Sequence, residues 1–381
     1  MKIKVDRDSA IPLHTQLLNQ LRHLILSGGL APGSRLRSEA ELQRHLKISR
    51  STIRQALTNA AAEGLIERVP GKGTFVASPS PGKVNNRLIG YITFDFLSDF
   101  QRQLLSGAET AARAQGYRTL FSNSNLDVGE EDRLLDQLLL EDKVGGILIW
   151  PALYDDPSRR LFQMVKQRVI PLVLMDRTFN GLACDHVTSD NYAGGYAATQ
   201  HLVRLGHRRI IFLSRPILGL LPISERLRGY REALRDAGLA ALEPWLVGTP
   251  DQEMGTGYTL RACDKGMSQE IKEIACYLES GGHPTAVFAM HDLMATQVLK
   301  AAKLVGMRVP DDLSLVGFDD TDIVAHLEVP LTTVAQDTFA LGRRAAELLI
   351  ERIEGYDGPR RGEVMPTQLR VRASTAPPTT A

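Results

Sequence analysis

The stretch SRSTIRQAL, residues 49–57, decides how the N-terminal part of the chain is read. Ser49 is a favoured N-cap, so a helix is expected to begin at Arg50. Arg50 and Arg54 stand four residues apart and share one face, while Leu46, Ile48, Ile53 and Leu57 supply apolar anchors around them. Ser51 and Thr52 add hydroxyls beside the first arginine. N–H groups at a helix start attract phosphate, and an arginine fork matches guanine O6 and N7. A solvated helix face would carry similar residues, so the flanking segments have to decide.

They extend the pattern on both sides. PLHTQLLNQLRHLILSGGL places Leu17, Leu21, Leu24 and Ile25 on one helical face and stops at Gly28-Gly29. SEAELQRHL is a second helix, with Ser38 as N-cap and Glu41 three residues on, a capping box. After the third helix, LIERVPGKGTFVA predicts two short strands around the turn Pro70-Gly71-Lys72-Gly73. Three helices followed by a hairpin is the order of a winged helix-turn-helix, expected over residues 1–76. That segment holds 12 Lys and Arg against 6 Asp and Glu, whereas the whole chain has a net charge of +1. A basic head on a mildly acidic body points to a polyanion partner for the head alone. The candidate DNA contacts are Arg37, Ser49, Arg50, Ser51, Thr52 and Arg54, with Gly71 and Lys72 of the turn.

ASPSPGKVNNR, residues 77–87, has the composition of a linker. Beyond it, over 88–372, short apolar runs alternate with helix-like segments: RLIGYITF, GYRTLFSN, VGGILIW, IPLVLMD, HVTSD, RRIIFLS, TAVFAM and LSLVGFDD. Such alternation implies parallel sheets with right-handed crossovers, and the length implies two α/β lobes with a cleft between them. Residues 373–381 are expected to be a disordered tail.

Ligands of open α/β sheets sit at the carboxyl ends of the strands. The residues there are Phe100 after the first strand, Asp176, Asp190, His291-Asp292 and Asp319-Asp320, with Arg226 in the helix SERLRGYREAL. Carboxylates accept from vicinal hydroxyls, arginine donates through a fork, and a ring covers the apolar face of a sugar. A histidine at position 291 is expected to add pH dependence near neutrality. Three dispersed cysteines argue against a disulfide framework, and no metal-ligand or cofactor motif is present. No secretory h-region or membrane-length apolar run occurs, so a cytoplasmic protein is expected. G-x-S-x-G, the phosphate loop and H-E-x-x-H are all missing, which points away from an enzyme.

Residues 11–77 resemble the GntR winged-helix family through PLHTQLLNQLRHLILSGGLAPGSRL, SEAEL, SRSTIRQAL and EGLIERVPGKGTFVA. The resemblance implies operator contacts at Arg50, Arg54, the flanking hydroxyls and Gly71. The family writes L-P-S-E-R-E-L where this chain has LRSEAEL, so Ala40 replaces a DNA-contacting arginine and Arg37 is the candidate substitute. Residues 87–374 resemble the effector domain of the LacI/GalR family, itself similar to periplasmic sugar-binding proteins. SDNYAGGYAATQHLVRLGHRRIIFL, MHDLMATQVLKAAKLVGMRVPDDLSLVGFDD and PLTTVAQDTFALGRRAAELLIERI carry that likeness. It implies effector contacts at Phe100, Asp176, Arg226, Asp319 and Gln336, with His291 standing where the family has Asn. The fold class expected is α/β, an N-terminal winged helix-turn-helix followed by a two-lobed periplasmic-binding-protein-like domain.

The combination is similar to arabinose-responsive repressors and implies a homodimer on palindromic double-stranded DNA, released by a small sugar such as a pentose. A ligand-dependent activator, or a cytosolic sugar-binding module whose head serves another polyanion, are the alternatives the residues leave open.

Overall fold

The computed structural model describes residues 3–7, 9, 11–26, 29–31, 33–77, 87–94, 98–152, 156–248, 263–280 and 284–379. Apart from Ala77 and Arg87, the expected linker lies outside them.

The head comprises α1 (Leu13–Leu26), α2 (Glu39–Leu46), α3 (Arg50–Ala62), β1 (Ile66–Val69) and β2 (Gly73–Val76). Leu17, Leu21, Leu42, Ile53, Leu57 and Val76 bury their side chains in one core, which fixes the helices against the hairpin. The capping box forms: the Ser38 hydroxyl accepts from Glu41 N–H, and Ser38 N–H donates to the Glu41 carboxylate at 2.7 Å. α2 ends on Lys47 in the left-handed conformation, φ 53°, so the chain turns sharply before Ser49 starts α3. β1 and β2 pair antiparallel with Ile66 opposite Val76, and Gly71 (φ +73°) makes the turn that a side chain would strain.

The body begins with β3 (Leu88–Thr93), α4 (Asp99–Ala114), β4 (Arg118–Asn123), α5 (Val128–Leu140), β5 (Gly146–Ile149), α6 (Arg159–Gln167), β6 (Leu172–Asp176) and β7 (Asp185–Ser189). The chain then crosses to a second lobe. This holds α7 (Asn191–Arg204), β8 (Ile210–Ser214), α8 (Leu221–Asp236), β9 (Trp245–Leu246), α9 (Cys263–Glu279), β10 (Ala286–Ala289), α10 (Asp292–Leu304), β11 (Ser314–Asp319) and β12 (Thr332–Gln336). α11 (Thr338–Ile353) and β13 (Gly362–Met365) return to the first lobe, and β14 (Thr367–Arg370) ends in the second.

The first sheet runs β13-β7-β6-β5-β3-β4 and is parallel throughout. The second runs β14-β12-β11-β10-β8-β9, parallel except for the antiparallel edge strand β14. The chain therefore passes between the lobes at 189–191, 336–338 and 365–367, and the carboxyl ends of both sheets meet there. All eight runs expected as strands are strands. β9, β12, β13 and β14 lack a long apolar run and are additions.

α4 and α11 cover the first sheet and touch at two glycines. A Cβ on Gly107 would collide with Phe339 O, and one on Gly342 would collide with Leu104 O. The helix backbones meet directly at these points. Gly107→Val should therefore cost more than the ~1–3 kcal/mol of an ordinary overpacked core, because backbone cannot rotate away as a side chain can. Since 1 kcal/mol corresponds to roughly 2–4 °C in a domain of such size, a melting temperature within about 2 °C of wild type would show that the helices separate freely.

The expected disordered tail is corrected over 373–379. Leu315 N–H donates to Ser374 O at 2.8 Å, and Thr332 N–H to the Ser374 hydroxyl at 2.8 Å. Ser374 is completely buried, and its hydroxyl donates to Leu315 O. These backbone groups at β11 and β12 need partners, and the segment supplies them despite its polar composition. His207 Nε2 and His201 Nε2 lie 2.9 Å from Ala376 O and the Thr375 hydroxyl.

Candidate functional site

Two regions carry the chemistry expected from the sequence. On the head, Ser49 caps α3 by accepting from Thr52 N–H at 3.1 Å, and its hydroxyl lies 2.7 Å from those of Ser51 and Thr52. The three hydroxyls thus form a local knot at the helix start. Arg50 and Arg54 both project into solvent from the same face, as their spacing requires. Each places a guanidinium nitrogen 3.3 Å from the same Glu39 oxygen on α2. Glu39 is invisible to a search for basic residues, because an acid is not sought in a basic surface. It gathers the two arginines, and their presence lowers its carboxyl below the usual carboxylate range against the opposing effect of burial. Arg37, Gly71 and Lys72 are exposed on the head as well.

In the body, Asp176 ends β6 of the first lobe and Asp319 ends β11 of the second, both with left-handed backbone, φ 66° and φ 114°. Non-glycine residues in that region cost roughly 1–3 kcal/mol and concentrate at binding sites. Arg226 lies in the second turn of α8, since the helix begins at Leu221 rather than at the SER sequence. It is buried, donates from Nε to Asn191 Oδ1 at 2.8 Å and from Nη1 to Met290 O, and stands 3.7 Å from Asp319 Oδ1. Its guanidinium also lies over Phe318, 3.7 Å from the ring centroid. Gln336 Nε2 donates to Asp319 Oδ1 at 2.7 Å.

Across the cleft, Trp150 Nε1 donates to Asp176 Oδ2 at 3.0 Å and its ring meets Phe100 at a centroid distance of 5.1 Å. Trp150, Asn191 and Phe318 are site residues that strand-end polarity does not reveal. Trp150 closes the VGGILIW run, and the strand-end rule that finds Asp176 would find it too if applied to aromatic residues. Burial raises the carboxyls of Asp176 and Asp319, although the Arg226 charge opposes it in both. Asp176 Oδ1, Gln336 Oε1 and His291 Nε2 are buried and have no hydrogen-bond partner among the described residues. Phe100, Asp319 and Gln336 line an open cavity of about 670 Å³ that continues to β14.

The other strand-end acids serve the fold. Asp190 caps α7 through Ala193 N–H at 2.8 Å. Asp292 accepts from Thr321 N–H at 2.8 Å and from the Thr333 hydroxyl at 2.6 Å. Asp320 pairs with Arg372 at 2.7 Å.

The expected titration of His291 near neutrality is corrected. Its Nδ1 accepts from Met294 N–H at 3.0 Å as the cap of α10, and burial together with the Arg215 and Arg226 charges pushes its pKa down to about 3. The ring is neutral at physiological pH, with its proton on Nε2. The unfolded imidazole gains a proton below about pH 6.5 and the folded one only near pH 3, so stability falls as pH drops through that window. Between pH 8 and pH 5 the wild type should lose about 2 kcal/mol more than His291→Asn, which keeps a cap without the ring. Denaturant midpoints at both pH values check this, and equal losses would count against a neutral buried ring.

The body's cleft at three chain crossings and the basic helix start of the head define a regulator class. Residues 13–76 match the model of bacterial regulatory proteins of the gntR family, and residues 199–375 match a periplasmic binding protein-like domain. The arabinose metabolism transcriptional repressor of Geobacillus stearothermophilus is 30% identical over 97% of this chain and 99% of its own. A solved transcriptional regulator CelR–cellobiose complex is 26% identical with a TM-score of 0.63, covering 94% of this chain and 99% of that one. A LacI family transcriptional regulator from Enterococcus faecium with bound ribose is 25% identical with a TM-score of 0.61, covering 76% and 99%. The chain belongs to the family of transcriptional regulators that join a GntR head to a LacI-type, periplasmic-binding-protein-like body. It is a transcriptional regulator with a DNA-binding head.

Proposed function

We propose that this protein is a repressor that acts as a homodimer in the cytoplasm and leaves its operator when a small sugar, a pentose by analogy with its arabinose relative, closes the cleft. One observation carries the effector reading: buried polar atoms at strand ends of both lobes, Asp176 Oδ1 and Gln336 Oε1 among them, have no partner among the described residues. Buried polar groups are ordinarily satisfied, so these atoms mark where ligand hydroxyls go. Phe100 and Trp150 supply the apolar wall a sugar ring needs.

The base-reading residues are Arg50 and Arg54, with Ser49, Ser51 and Thr52 holding phosphate. Arg37 stands in for the family arginine that Ala40 replaces, and Gly71 and Lys72 meet the adjacent backbone. The effector contacts are Phe100, Asp176, Arg226, His291, Asp319 and Gln336. Two-fold symmetry sets two α3 helices on a palindrome. Ligand can shift DNA affinity only by its differential affinity for the open and closed states, typically about 1–3 kcal/mol. No helix among the described residues is long and apolar enough to cross a membrane.

A gel shift on the DNA flanking its own gene, with and without L-arabinose, D-ribose, D-xylose and D-galactose, tests it. Retardation that one of these sugars releases is the expected result. Retardation that sugar strengthens would make the protein a co-repressor-dependent regulator or an activator. No retardation of DNA would refute the head's role.

A further inference from the structure

The lining of the cleft has a chemical character that narrows the effector, an inference that rests on the sugar reading of the site. Asp99, Asp319, Asp320, Asp322 and Asp337 line the cavity of about 670 Å³, and Arg370 is the one basic residue lining it among the described residues. The neighbouring guanidiniums already serve acids: Arg102 holds Asp99, Arg372 holds Asp320, and Arg226 faces Asp319.

Backbone offers an anion no better anchor. Helix N-termini are the usual phosphate seats. α11 opens on the cavity with Thr338 and Phe339, but its N-terminus is capped by Asp337, whose Oδ1 accepts from Ala340 N–H at 2.8 Å. The short 3-10 turn Asp322–Ala325 presents Asp322 N–H, which donates to Asp99 Oδ2 of the opposite lobe at 3.1 Å. These two starts therefore carry a carboxylate where a phosphate would sit, and the third on the cavity, that of α4, is capped by Ser98 and has Asp99 in its first turn.

Of the three unsatisfied atoms deeper in, His291 Nε2 carries a proton and suits a hydroxyl oxygen, and the other two point away from an anion. Asp176 Oδ1 and Gln336 Oε1 are acceptors on residues only 7% and 8% exposed. They require donors. A hydroxyl can donate, whereas a phosphate dianion or a carboxylate only accepts. Burial already raises the carboxyls of Asp176 and Asp319, and an added anion would raise them further, so its entry would demand proton uptake.

We propose that the cleft takes sugars only in their uncharged form and rejects their phosphate esters and acid derivatives. The protein then responds to a free sugar and stays blind to the product of its phosphorylation. The class of reaction that ends the signal is therefore transfer of a phosphoryl group from a phosphoryl donor to a hydroxyl of the free sugar, whose proton is released.

Titration calorimetry of the full chain with L-arabinose, D-ribose and D-xylulose, and with the 5-phosphate of each, tests this. Ester constants are read by displacement of the parent sugar. The expected result is binding of at least one free sugar and an ester at least 30-fold weaker. An ester within 30-fold of its parent, or tighter, overturns the proposal alone and leaves the sugar reading standing. Failure of all six compounds overturns the pentose reading of the effector and this proposal with it. The double variant Asp322→Asn, Asp337→Asn keeps a capping side chain at 337 and removes two charges. It should shrink the ester-to-parent ratio at least threefold, and an unchanged ratio would overturn the electrostatic account.

Discussion

Arg50→Ala should weaken specific operator binding by about 100-fold while sugar binding stays within twofold of wild type. A good bidentate arginine–guanine pair contributes roughly 1–3 kcal/mol of discrimination, or about 5- to 150-fold. The upper end is expected here for two reasons. Ala40 stands where the family pattern would have supplied an arginine, so fewer base contacts remain to share the deficit. Arg50 and Arg54 also share one Glu39 oxygen at 3.3 Å, so deleting the first leaves the acid to pull on the second alone. Fluorescence anisotropy at fixed salt, on specific and scrambled DNA, reads the effect, because the phosphate contribution varies with ionic strength. A parallel loss on both DNAs would reassign Arg50 to phosphate binding, and normal operator affinity would refute the assignment of α3.

Arg226→Ala should abolish the sugar response and leave DNA binding without sugar intact. Removing one member of a buried charged pair typically costs about 3–5 kcal/mol, because the partner is stranded in low dielectric. Here Asp319 would lose its facing cation, Asn191 Oδ1 and Met290 O would lose a donor, and Phe318 would lose the plane that covers it. Sugar affinity should fall more than 100-fold by calorimetry. Arg226→Lys retains the charge without the fork and is expected to fall between, which separates loss of recognition from collapse of the lobe. A variant that still released DNA at wild-type sugar concentrations would place the effector elsewhere.

Much of this architecture is legible in the residues, and the exceptions have physical causes. The central strands bury both faces, so they appear as unbroken apolar runs such as IPLVLMD. β13 and β14 are edge strands whose residues alternate between exposed and half-buried, and GEVM and TQLR carry no such run. The composition of the tail signals disorder, but its order comes from two sheet strands far away in sequence, at Leu315 and Thr332. In the cleft, Asp176, Arg226 and Asp319 are visible from strand-end position and family likeness. Trp150 and Asn191 are not found by strand-end polarity, since their roles are to hold those residues through contacts with a neighbouring strand or helix of the same lobe. His291 shows the limit of residue type as a guide, because its backbone-capping bond and burial remove the titration for which histidine is usually noticed.

The order in which the sheets are completed bears on how the protein is made. The head is whole once Val76 has been synthesised, but the first lobe waits for β13 at 362–365 and the second for β14 and Ser374. During synthesis, domains fold as their residues emerge. A nascent chain therefore has a finished α3 long before it has two finished lobes. A stop codon in the last stretch of the gene would yield products that retain the head yet lack the strands that close both lobes. In such products the head keeps its whole core while each of the two large sheets lacks an edge strand.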